Sequence, residues 1–380
     1  MALLLFLTLR LFLFGWSALV VTLIPIPTAP DETVRPYLGA DILTEGAAGI
    51  LLGPWQRFDA NRYLRIAQQG YAATEDSVFP PLYPLFIRAV SELLPIPSPT
   101  TAGMTAGILI SNLACLAVFY LLHRQTATRI GADSANRALT YFALFPTAFF
   151  LFAPYTESLF IFWVLASLRS TEQGKWARAG IFAALSALTR AAGVLLIIPL
   201  AYAVWQNHPR WRTDWRALFW AALPGVAFLA FLAYRDWLGL PPINQVYTQF
   251  WHQTTAPPGV DLLAALSTIL TRQGARAGEI TLIFDFLTPF LLLAATLIAF
   301  RRYGDPLGLY AAVMLLFILL PHSELKPLYS FTRYALPFFP LFWWAAEAGQ
   351  NPLLHRLILY PSLLLYLYFS GQFFLWGWVA

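Results

Sequence analysis

The sequence has little of what a soluble enzyme depends on. Cys115 is the only cysteine in 380 residues, so an intrachain disulfide and a cysteine-ligated metal site are both excluded. Charge is scarce, with Asp, Glu, Lys and Arg making up only 11% of the chain. No P-loop and no G-x-G-x-x-G following a strand is present, which argues against a nucleotide or nucleotide-sugar site of the soluble kind. No pair of histidines has metal-ligand spacing on a helix, and no Asp-x-Asp pair offers the carboxylates of a divalent-cation site. No resident cofactor is expected, and metal dependence is doubtful. Internal repeats, the mark of solenoids, are also missing.

Apolar residues are abundant instead. They make up 59% of the chain and include 31 Phe, far beyond what soluble cores require. Most of the chain therefore belongs in lipid. At roughly 20 residues per span, the length corresponds to a bundle of about ten helices rather than two or three soluble domains. The formal charge of +5 could suggest a nucleic-acid partner. The basic residues, however, form short clusters between apolar runs, a pattern that membrane orientation explains better.

Candidate spans lie near 3–25, 102–122, 138–153, 157–169, 179–205, 217–238, 280–300, 306–321, 334–347 and 356–377. The first lacks both a basic leader and a small-residue cleavage site, so it reads as a retained span. Basic groups at His123, Arg124, Arg129 and Arg137, at Arg169, Lys175 and Arg178, at Arg210, Arg212 and Arg216, and at Arg301 and Arg302 mark cytoplasmic connectors. For all four to lie inside, the window 179–205 must go out and return. Two half-spans meeting at Arg190 satisfy this and keep that charge out of the bilayer centre. The expectation is an all-α polytopic membrane protein of about 10–11 crossings, with the N-terminus inside. It forms one integrated membrane domain, 1–380, with a first extracytoplasmic loop at 26–101 and a second at 239–279. Functional chemistry is expected in those long external loops.

The densest signal is WQRFDANRYLRIAQQGY, Trp55 to Tyr71. Trp55, Asp59, Tyr63 and Ile66 recur at helical spacing, and Gly70 is placed to terminate the helix. Asp59 reads as its N-cap, a role compatible with presenting a fixed carboxylate. VFPPLYPLFIRAV then forms a proline-set corner and a new amphipathic helix. FPTAFFLFAPYTESLF puts Tyr155 and Glu157 where two spans meet outside, either as a functional carboxylate or as a structural partner of Arg190. External cations are Arg190, Lys326 and Arg333, joined by His252 and His322, and guanidinium forks suit phosphate. Snorkelling and aromatic anchoring by Tyr334 also produce the Arg333 pattern, and for any one of these cations that plainer reading comes first.

The blocks FDANRYLRIAQQGY, FPPLYPLFIR, FPTAFFLFAPYTESLF, ALTRAAGVLL and SFTRYALPFFP, in this order, resemble the PIG-V family of mannosyltransferases and its prokaryotic relatives, within the GT-C class. Phe58 stands where the family commonly has Trp. The compact connectors look like those of a prokaryotic member, which implies a plasma-membrane protein working on the outer face, or the endoplasmic reticulum membrane in a eukaryote. The resemblance implies inverting transfer of mannose from a polyprenyl-phosphate carrier to a hydroxyl of a glycolipid or another extracytoplasmic acceptor, with Asp59 as general base. Arg62, Tyr63, Tyr155, Glu157, Arg190, His322, Lys326, Arg333 and Tyr334 are the candidate substrate-binding residues. A phosphate leaving group needs cations rather than a protonating acid. The competing reading is a polyprenyl-lipid or glycolipid transporter, since intramembrane charges and a broken span also mark transporters. A structural or assembly subunit would not need so many charged groups on one face.

Overall fold

The structure is a computed structural model that describes residues 1–25, 31, 34–207, 215–274, 276–328 and 330–379. Arg210 and Arg212 of the third basic group lie outside the described residues. Helices dominate throughout: α1 (Ala2–Leu23), α2 (Gly46–Leu51), α3 (Asp59–Gln69), α4 (Leu82–Ser91), α5 (Pro99–Ile130) and α6 (Ala132–Ala143). They continue as α7 (Glu157–Glu172), α8 (Trp176–Thr189), α9 (Ile197–Asn207), α10 (Trp215–Trp237), α11 (Ile243–Trp251) and α12 (Val260–Thr271). The last are α13 (Ile280–Ile298), α14 (Asp305–Leu319), α15 (Phe331–Tyr334), α16 (Phe339–Ala348) and α17 (Pro352–Phe374). The only named strands among the described residues, β1 (Thr254–Thr255) and β2 (Pro321–His322), pair antiparallel.

Five of these helices are long and apolar enough to cross a membrane: α1, α5, α10, α13 with its π-helical extension to Tyr303, and α17. Several of the other expected spans are interrupted. The window 138–153 is α6 followed by a separate 3-10 turn, Ala148–Leu151, because Pro146 cannot donate to a helix and disfavours helical backbone at Phe145. Pro337 separates α15 from α16 in the same way. The window 179–205 breaks at Arg190 as its length and charge predict. There α8 ends with Arg190 in an extended conformation, and a 3-10 turn, Ala191–Leu196, leads into α9.

The chain forms two compact units, one of residues 1–72, 81–162 and 345–379, the other of residues 73–80 and 163–344. In the first, α5 packs against α1, α3, α4 and α6, and α17 packs against α1 and α6. Its centre is aromatic, with Phe119 meeting Phe6, Phe142 and Phe152 edge-on. Gly107 of α5 leaves room for this packing, since a Cβ there would stand 2.9 Å from Pro154 Cβ and 3.4 Å from the Tyr83 hydroxyl.

In the second unit α8 lies closely on α10. A Cβ at Gly180 would fall 2.2 Å from the Trp220 carbonyl oxygen, so the two backbones approach as only glycine permits. Buried Arg235, at the end of α10, donates to the Ser77 carbonyl at 2.7 Å and the Ser77 hydroxyl at 3.1 Å. The Trp251 indole N–H donates to the Glu75 carbonyl at 3.2 Å. Arg235 and Trp251 thereby hold the 3-10 turn Thr74–Val78, a short piece of the first long loop, within this unit.

Candidate active site

Asp59 occupies the first turn of α3, half-buried, where the unpaired N–H groups of the helix start favour a carboxylate. It is not the N-cap. Phe58 takes that position, with no side-chain cap hydrogen bond, so the helix begins one residue earlier than capping by Asp59 requires. Trp55 does not share the α3 face either, because it closes a separate 3-10 turn, Gly53–Trp55. Gly70 ends α3 as expected, with φ +68° and its N–H on the Ile66 carbonyl.

The backbone before Asp59 is strained. Phe58 has φ +45° and ψ −116°, a combination that L residues avoid and that costs of order 1–3 kcal/mol. Such strain persists only where the surroundings over-determine it. Arg57 is 3% exposed and donates to the carbonyls of Phe374 at 2.8 and 3.0 Å, Gly53 at 2.7 Å and Gln56 at 3.0 Å. Burial lowers its pKa to about 10, an effect that the phenols of Tyr37 and Tyr155 oppose. The guanidinium therefore remains charged at neutral pH.

Behind α3 lies a hydrogen-bonded group of buried residues. The Tyr63 hydroxyl meets Thr156 Oγ1 at 3.2 Å, and the Tyr155 hydroxyl donates to the Arg57 carbonyl at 3.0 Å. Ser111 donates to the Tyr155 carbonyl at 2.9 Å and meets the Tyr83 hydroxyl at 2.7 Å. Asn61 donates to the Pro36 carbonyl at 3.1 Å. Glu157 opens α7 directly after Thr156 and is 3% exposed. The first unit thus gathers Asp59, Arg62, Tyr63, Tyr155 and Glu157, with Arg62 half-buried on α3.

The second unit gathers Arg190, His322, Lys326, Arg333 and Tyr334. The Arg190 guanidinium lies 5.6 Å from the Tyr334 ring centroid, a cation–π contact. Arg333 is 7% exposed in α15. His322 bonds Asp261 through Nδ1, and Asp261 also accepts from the Leu328 N–H at 3.3 Å. Lys326 is an exposed residue overall, yet partial burial of its ammonium lowers its pKa, with Glu279 opposing that shift.

Sequence reasoning missed what holds this segment. Arg276 donates to Asp285 at 2.8 Å, Glu279 at 2.7 Å, and the carbonyls of Pro327 and Leu328 at 2.8 and 3.2 Å. Asp285 accepts from the Thr332 N–H at 2.8 Å and its hydroxyl at 2.7 Å. Burial works against the Arg276 charge, but Asp285 and Glu279 outweigh it and keep its pKa above the ordinary value. A carboxylate five residues into an apolar span was the signal that could have revealed Asp285. Arg57 carried no signal beyond its place beside Asp59.

Five helices of membrane-crossing length in an otherwise helical chain make this a polytopic all-α membrane protein. In fold the chain is similar to the crystal structure of ArnT from Cupriavidus metallidurans bound to undecaprenyl phosphate, with a TM-score of 0.51 at 14% identity, covering 99% of this chain and 76% of that one. A family model described as mannosyltransferase (PIG-V) matches residues 5–213, more than half of the chain, and the chain belongs to this family. The GPI alpha-1,6-mannosyltransferase 2 of Mus musculus is 30% identical over 168 residues, 43% of this chain and 33% of the relative. The protein of that name from Homo sapiens is 29% identical over 150 residues, 38% of this chain and 29% of the relative. The match thus spans about a third of the length of these curated relatives.

Proposed function

We propose that the chain is an inverting mannosyltransferase that moves mannose from a polyprenyl-phosphate-mannose donor to a hydroxyl of a lipid-linked or other extracytoplasmic acceptor. The observation that carries this reading is Asp59, an accessible carboxylate in the first turn of α3, held by strained backbone and buried hydrogen bonds. The names of the curated relatives support mannose as the sugar. The undecaprenyl phosphate bound to ArnT, whose fold this chain is similar to, supports a lipid-phosphate carrier.

In the proposed reaction Asp59 accepts the proton of the acceptor hydroxyl while the oxygen of that hydroxyl attacks the anomeric carbon from the side opposite the phosphate. The bond from that carbon to the phosphate oxygen breaks, the electron pair leaves with polyprenyl phosphate, and the configuration inverts. Arg190, Lys326 and Arg333 are the groups proposed to offset the charge growing on phosphate, with His322 and Tyr334 beside them. Arg62 and Glu157 are proposed to bind substrate. Tyr63 and Tyr155, buried with their hydroxyls engaged, are proposed to serve it by holding α3. Because phosphate is already a good leaving group at neutral pH, the transfer is proposed to need no bound metal. The reading puts this chemistry at the outer face of a prokaryotic plasma membrane.

The test incubates purified protein with polyprenyl-phosphate-mannose and extracted lipids, comparing wild type with Asp59→Asn. Losing the base is expected to slow transfer by about 10²–10⁴-fold with unchanged thermal unfolding. Comparable transfer by both proteins removes Asp59 as the base. Donors carrying glucose or arabinose, and a chelator arm, test the sugar and the metal in the same assay.

A further inference from the structure

The two residues preceding Asp59 are both held by a segment more than 300 positions further along the chain. Phe374 ends α17, so its carbonyl is one that the helix itself cannot satisfy. Arg57 satisfies it with a two-pronged contact from Nε and Nη2, and its guanidinium stacks 5.0 Å from the Trp376 ring centroid. The Phe58 ring lies among Phe373, Trp376 and Trp378, with centroids at 6.2, 5.1 and 5.1 Å. Trp376 is anchored in turn: its indole N–H donates to the Tyr37 hydroxyl at 3.3 Å, and its own φ is +64°. All of these residues belong to the first unit. Residues 373–378 lie outside the part matched by the family model, 5–213.

From these contacts we infer that the aromatic segment Phe373–Trp378 is a positioning element for the Asp59 carboxylate, acting through Arg57 and Phe58. The inference rests on the reading of Asp59 as the base. The physical reason is the Phe58 backbone. A residue at φ +45° relaxes to an ordinary conformation unless something holds its side chain, and relaxation there rotates the start of α3 and carries Asp59 with it. The cage holds the ring, and the Arg57 fork holds the residue before it. Misplacing a reacting group by about 1 Å can cost on the order of 100-fold in rate without loosening substrate binding.

The test measures kcat and donor KM separately on the full chain with polyprenyl-phosphate-mannose, using Asp59→Asn as the reference. Trp376→Ala, Phe58→Ala and Arg57→Lys are each expected to lower kcat by about 100-fold and to leave donor KM within about threefold. Phe58→Gly is expected to lose about tenfold less than Phe58→Ala, because glycine adopts the positive φ without a cage. Phe58→Trp, which refills the cage, is expected to rescue kcat. If Trp376→Ala fails to fold, Trp376→Phe replaces it, and a kcat defect relative to wild type at unchanged KM supports the inference. Wild-type kcat in the cage variants while Asp59→Asn is inactive overturns the inference and leaves the base standing. A change confined to KM also overturns it. Activity in Asp59→Asn instead removes the base itself.

Discussion

Lys326 shows how one residue's surroundings set what it can do. Partial burial disfavours its ammonium, so its native pKa lies below the ordinary lysine value. If this ammonium holds the donor phosphate, its charge is present below the native pKa and is lost as pH rises through it. Donor KM is therefore expected to climb at a lower pH than an unperturbed lysine would give. Lys326→Arg is expected to move that rise beyond the accessible range, since a guanidinium stays protonated. Kinetics across alkaline pH check this, and coincident profiles for the two proteins would detach Lys326 from phosphate. Asp59 makes a related point: its spacing made it look like a cap, yet Phe58 holds the cap position because aromatic side chains from α17 and beyond fix its backbone.

Among the elements, the segment carrying His322 and Lys326 is secured from several sides. Residues 321–328 and 330–332 are tied by the β1–β2 pairing, by Asp261 from α12, by Arg276 and by Asp285 from α13. The Arg276–Asp285 pair is almost completely buried, with side-chain exposures of 4% and 1%. Removing one partner strands the other charge, so Asp285→Ala or Arg276→Met is expected to destabilise by about 3–5 kcal/mol. The double change Arg276→Met with Asp285→Leu is expected to cost less than either alone. Unfolding in detergent measures all three, and additive losses would show that the pair is not coupled.

For the molecule as a whole, the basic connectors and the break at Arg190 imply an orientation that chemistry can read. In a Cys115→Ser background, a membrane-impermeant thiol reagent added to intact cells is expected to label Glu92→Cys. It is expected to reach Lys175→Cys only after permeabilisation. Both positions are exposed on the protein surface, so accessibility reports the side of the membrane. Labelling of both in intact cells would overturn the proposed topology.

Much of the architecture was legible in the sequence because solvent period and chain breakers act locally. Apolar runs marked the helices, Gly70 ended α3, and the length and central charge of 179–205 required the turn found at Arg190. Pro146 and Pro337 interrupt windows that hydropathy alone joins, since a missing N–H counts against a helix whatever its apolarity. The sequence also singled out Glu157 and Arg190, because charge in apolar surroundings is expensive enough to stand out, and Asp59 through helical spacing and family resemblance. Only the tertiary structure decided how Asp59 is held. The fork of Arg57 on the Phe374 carbonyl and the cage around Phe58 join residues far apart in the chain, and no local pattern encodes a backbone strain that distant side chains sustain.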